Sequence, residues 1–172
     1  MFVVLLTAAC GSNKSSEATS TTDWANGVCS AITTWTDSVK SAGDSLKGGN
    51  LSQESLQSAV DDTKSATDAL ESDLNDLGKP DTETGQQAKD SLDQLSSDLK
   101  SGTDSIASAV DNASSISDLV SAAATVGATL GTMGSQVSAT FKTLEQLDPK
   151  GELQTAFDQA SACKELSSSS SS

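Results

Sequence analysis

The chain has 172 residues, carries 10 lysines against 24 acidic residues, lacks arginine and histidine, and has a net charge of −14. Nucleic-acid binding needs Lys and Arg to neutralise phosphates, so that class is excluded. An anionic surface would repel the chain, and a membrane must hold it by something other than charge.

Residues 1–9, MFVVLLTAA, form an apolar run that ends in small residues directly before Cys10. A membrane span needs about 20 apolar residues, so the run is too short to be one. It reads as the end of a signal peptide, truncated because no basic region precedes Phe2. LTAAC resembles the lipobox of bacterial lipoproteins, with Thr7 in place of the usual Leu and Leu6 one position earlier. The resemblance implies a diacylglyceryl group on Cys10, cleavage before it, and a protein anchored on the extracytoplasmic face of the cell membrane. Residues 10–22 then form the lipidated cysteine and a Ser/Thr-rich tether, too polar to bury apolar surface.

A helical domain is expected over residues 23–166. Trp24, Val28, Ile32, Trp35, Val39, Ala42 and Leu46 recur at spacings of four and three, one face of a helix. Gly48-Gly49 ends it. Ser52 is a good N-cap for the second helix, and Leu51 and Leu56 are spaced for a hydrophobic staple. Leu56, Val60, Thr63, Thr67, Leu70, Leu74 and Leu77 carry its stripe until Gly78-Lys79-Pro80. Within this stop, Asp73, Asn75 and Gly78 match three positions of an EF-hand loop. Leu77 and Thr84 stand where ligands are needed, so a plain turn is expected.

The third helix is expected from about Asp81, with Ala88, Leu92, Leu95, Leu99, Gly102, Ile106 and Ala109 inward. After a turn over 111–114, Ser115 and Asp118 resemble a capping box. The fourth helix carries Ile116, Leu119, Ala123, Val126, Leu130, Met133, Val137, Phe141 and Leu144. No charge falls from Leu119 to Phe141, but Ser121, Thr125, Thr129, Thr132 and Gln136 make a polar stripe that suits a bundle helix better than a span. Gly127, Gly131 and Gly134 are each costly in a helix, and close approach to a neighbouring helix is the expected reason. Asp148-Pro149 predicts an N-cap and first turn for a short fifth helix running to about Leu166. Residues 167–172 are a serine tail, expected to be disordered. The fold class is therefore all-α, an antiparallel up-down, coiled-coil-like bundle of four long helices plus a short one.

Lipidation of Cys10 leaves Cys29 and Cys163, an even number for an oxidising compartment. Helix rise places Cys29 about 9 Å up the first helix and Cys163 about 7 Å above the same end of the bundle, so a disulfide between them is expected. Free thiols are the alternative, without a His or Arg nearby in sequence to activate either one.

Catalysis has little to use. Without His there is no Ser-His or Cys-His pair and no His-containing zinc or di-iron site. Adjacent acids such as Asp61-Asp62 diverge around a helix. The expectation is a non-enzymatic protein with no metal and no cofactor. Trp24, Trp35, Phe141 and Phe157 are expected at one end of the bundle, as a hydrophobic plug or as an apolar ligand or partner patch. The stretches DWANGVC and GELQTAFDQASACKEL are similar to those of small actinobacterial lipoproteins of unknown function. The leading expectation is an envelope module that binds a protein partner or acts as a spacer. The alternative is a carrier of a small apolar ligand or lipid that uses the aromatic end.

Overall fold

The computed structural model describes residues 20–48, 51–148 and 150–169, which form six helices and no strand. Cys10 and the signal and tether residues up to 19 lie outside the described residues, as do 170–172 of the serine tail. The helices are α1 (Thr21–Gly48), α2 (Gln53–Leu77), α3 (Gly85–Asp111), α4 (Ile116–Leu147), α5 (Glu152–Gln159) and α6 (Ser161–Ser169). α1 starts two residues inside the expected tether, where Ser20 Oγ accepts a hydrogen bond from the Asp23 amide at 3.2 Å. α6 runs to Ser169, into the expected serine tail.

Local chemistry sets most of the boundaries. Ser52 caps α2 by accepting from the Ser55 amide at 3.1 Å, and the Ser55 hydroxyl accepts from the Ser52 amide at 3.0 Å. Gly78 ends α2 at φ 63°, a conformation that suits glycine. The third helix starts at Gly85 rather than near Asp81. Pro80 leads into a tight turn in which the Thr82 amide bonds Pro80 O and the Gly85 amide bonds Thr82 O, both at 3.0 Å. A side chain at Gly85 would collide with the Pro80 carbonyl. Ser115 and Asp118 form the capping box that opens α4.

The end of the chain departs further from expectation. Asp148 is not the residue at the start of α5. It closes α4 in an extended conformation, and Gly151, at φ 73°, is the N-cap of α5. The buried Asp148 carboxylate still serves the new helix from a distance, accepting from the Leu153 amide at 2.5 Å and the Lys150 amide at 3.1 Å. The expected single fifth helix is two helices, broken where Ala160 turns extended at ψ 125°. Asn26 of α1 holds the start of α6, its Oδ1 accepting from the Ser161 hydroxyl and the Ala162 amide, each at 3.1 Å.

The four long helices alternate up and down. Trp24 Nε1 donates to Gly78 O at 3.1 Å and Trp35 Nε1 to Thr67 Oγ1 at 3.2 Å, which fixes α2 antiparallel to α1. Thr67 lies 3.3 Å from Thr103, hydroxyl to hydroxyl, and Lys100 pairs with Glu71 at 3.1 Å, which fixes α3 antiparallel to α2. Gly102 faces Met133 and Thr129 of α4. Trp35, Thr67 and Thr103 thus tie three helices in the middle of the core. Their polar atoms are satisfied, since each threonine also donates to the carbonyl four residues back. Leu56, Leu70, Leu92, Leu99, Ile106 and Leu144 supply fully buried apolar bulk around them.

Packing runs in sequence order, α1 on α2, α2 on α3, α3 on α4, with α5 and α6 laid on the lower part of α1. The remaining side, between α1 and α4, is nearly unpacked. Gly43 and Leu130 mark where the two helices approach each other.

Candidate binding cleft

The weak α1–α4 contact leaves a cleft of about 1380 Å³ along the bundle. Trp35, Val39 and Leu46 of α1 form one wall. Val126, Leu130, Val137 and Phe141 of α4 form the other. Phe157 of α5 and Cys163 of α6 close the lower end. Lys40, Asp44, Lys142, Glu145, Asp158 and Lys164 sit around the rim, three of each sign. The rim is therefore locally neutral on a strongly acidic protein.

A second stripe on α4 explains the cleft. One face of α4 is buried at Ala122, Val126 and Met133, with Met133 set against Gly102 of α3. Another runs at alternating spacings of four and three from Ile116 to Phe141. Ile116, Ala123, Leu130 and Val137 hold one heptad position, and Val120, Gly127, Gly134 and Phe141 the other. Spacing alone puts Ile116, Ala123, Leu130, Val137 and Phe141 on one inward stripe with Val126 and Met133, and leaves out Val120, Gly127 and Gly134. The structure separates them and leaves Ile116 82% and Val120 58% exposed.

Gly127, Gly131 and Gly134 do not touch a neighbouring helix, contrary to expectation: an added Cβ at any of them meets nothing within 4 Å. Gly127 and Gly134 instead line the cleft and widen it. Close approach occurs at Gly102, which the sequence reading placed only as a stripe position, and where an added Cβ would lie 3.0 Å from Met133 Cγ and Sδ. α4 is, among the described residues, the one helix long and apolar enough to cross a membrane, yet only 17% of its most apolar window is buried. Its Ser121, Thr125 and Thr132 hydroxyls are exposed, each donating to the carbonyl four residues back.

The four aromatic residues do not form one patch. Trp24 is wholly buried, with its ring centroid 6.0 Å from Phe157, and Phe157 is 5.6 Å from Phe141 at 74°. These three plug the lower end. Trp35 stands three turns higher, bonded to Thr67, and faces the cleft separately. Phe141, Phe157 and Trp35 can touch a ligand in the cleft, while Trp24 lies behind them. Cys29 and Cys163 form the expected disulfide, with an S–S distance of 2.01 Å and Cα atoms 5.0 Å apart. Both cysteines line the lower cleft, so the bond fixes α6 as its end wall.

Among the described residues two groups titrate away from their ordinary values, and both lie outside the cleft. Hydrogen bonds from the Ser115 hydroxyl, then from Ser114, hold the Asp118 carboxyl below the usual range. The hydrogen bond and charge of Glu71 raise Lys100. Among the described residues there is no cluster of His, Cys, Asp or Glu able to hold a metal.

Compared with protein-family models, with curated proteins and with solved structures, the chain matches none. Any functional conclusion therefore rests on the cleft and on the sequence signals around it.

Proposed function

We propose that this protein is a lipid-anchored, extracytoplasmic helical bundle that carries an elongated apolar ligand, of the kind an acyl chain provides, in the cleft between α1 and α4. The cleft itself carries the reading. Ligand pockets commonly measure about 300–1,000 Å³ and are mostly apolar with a few polar groups at the edge. This one is larger, at about 1380 Å³, and runs along two helices, which suits a chain-like ligand better than a compact one. Glycines at 127 and 134 deepen it at a cost in helix stability. The lipobox-like LTAAC supports anchoring through Cys10, and the Cys29–Cys163 disulfide agrees with an oxidising, extracytoplasmic setting. The reading assigns the protein no reaction.

A second reading keeps the site and changes the occupant. The heptad stripe of α4 matches what an amphipathic helix from a partner envelope protein would use, by laying its apolar face into a groove. Native mass spectrometry of the detergent-free Cys10→Ala protein separates the two. A retained lipid-sized mass supports the carrier. A bare protein that stays bare after incubation with long-chain fatty acid favours the partner module. Anchoring has its own test: with a complete leader the protein should label with palmitate, and Cys10→Ala should abolish the label.

A further inference from the structure

We infer that the upper mouth of the cleft is a docking lip for a lipid surface of low charge, through which the apolar ligand enters and leaves. The inference rests on the carrier reading above. Among the described residues the exposed large apolar side chains are Leu51, Ile116 and Val120, at 36%, 82% and 58% exposure. All three sit at the end of the bundle where the α1–α2 and α3–α4 connections lie. Leu51 and Ala123 wall the top of the cleft. Val120 and Ile116 continue the Ala123 face upward by one helical turn each. The lip is thus continuous with the cleft lining, and the opposite end is shut by Phe157 and the disulfide-held α6.

The fold does not require apolar residues there. Ile116 is the first residue of α4, and the helix start is capped entirely by Ser115 and Asp118. A polar residue at 116 would serve the helix equally and leave less apolar surface in water. Charge selects the kind of surface. The chain carries −14, and Glu54, Asp111 and Asp118 lie at this end, so an anionic bilayer is repelled and a zwitterionic one is not.

The test uses the full chain with Cys10→Ala, which removes the anchor, and follows transfer of a fluorescent stearate from the protein to phosphatidylcholine vesicles. The comparison protein also carries Ile116→Ser and Val120→Ser, both exposed positions. The two proteins should bind the stearate equally in solution. Transfer from the parent should rise with vesicle concentration and slow when phosphatidylglycerol partly replaces the neutral lipid. The lip variant should transfer about tenfold more slowly. Equal transfer from both proteins, independent of vesicle concentration, would overturn the lip while leaving the carrier reading intact. A dimeric parent with a monomeric variant would also overturn it, by making the lip a contact between copies. Failure of the parent to bind stearate would remove the carrier reading and the lip with it, whereas failure of the variant alone would overturn the lip by making Ile116 and Val120 part of the binding site.

Discussion

A methyl group added at Gly127 or Gly134 meets nothing within 4 Å, whereas at Gly102 it lies 3.0 Å from the Met133 side chain. Alanine substitution should therefore be more favourable at Gly127 than at Gly102. Gly127→Ala should stabilise by about 0.5–1 kcal/mol, through helix propensity and a less flexible unfolded chain. Gly102→Ala should come out about 1 kcal/mol or more less stable than Gly127→Ala, because the same propensity gain is offset there by overpacking of the buried Met133. Thermal melts of the two variants check this, and a destabilised Gly127→Ala would contradict the open cleft. The sequence shows that the backbone is bare at these positions but not whether a neighbour approaches it, which is why the glycines were misassigned. The capping residues were legible because their partners are three residues away. At Asp118 the folded carboxyl titrates below its unfolded value, so its contribution is present above about pH 4 and is lost as pH falls through the folded value. The melting-temperature gap between the protein and Asp118→Asn should be constant near neutrality and close below pH 4.

Helix α5 is held by a nearby carboxylate and α6 by contacts distant in sequence. Asp148 reaches forward to the Leu153 amide, Asn26 reaches across to α6, and the disulfide spans 134 residues. Reduction should release α6 from α1 and lower the melting temperature. The chain-entropy argument gives about 5 kcal/mol as an upper figure for so long a loop. An unchanged melt after reduction would contradict the clamp, and unfolded, unreduced Cys10→Ala protein should show no free thiol. Asp148→Ala should cost about 1–3 kcal/mol, because it leaves the buried Leu153 amide without its acceptor. The disulfide was legible, since helix rise and residue counts place both cysteines at one height. The break at Ala160 was not, because its cause is the Asn26 side chain of another helix. The start of α3 was misread by four residues for a similar reason: the turn after Pro80 is set by backbone hydrogen bonds that no apolar spacing reports.

Three sides of the four-helix arrangement are closed by packing and the fourth is open. The all-α, up-down architecture was legible because each helix has a strong apolar stripe and short connections force neighbours to be antiparallel. Which side stays open was not. Periodicity tells which residues share a face but not what covers that face, and α4 has two apolar faces with one covering helix. On the carrier proposal, an apolar chain fills the uncovered face. Trp35 forms part of the cleft wall, while Trp24 is buried behind Phe157, so one indole reports occupancy from inside the site. The most direct measurement is quenching of tryptophan fluorescence by a brominated long-chain fatty acid, which acts only at contact. Saturable quenching is expected in the parent protein, and its loss in Gly127→Leu/Gly134→Leu, whose side chains fill the cleft without disturbing the core. No saturable quenching in the parent, or the same quenching in the filled variant, would contradict it.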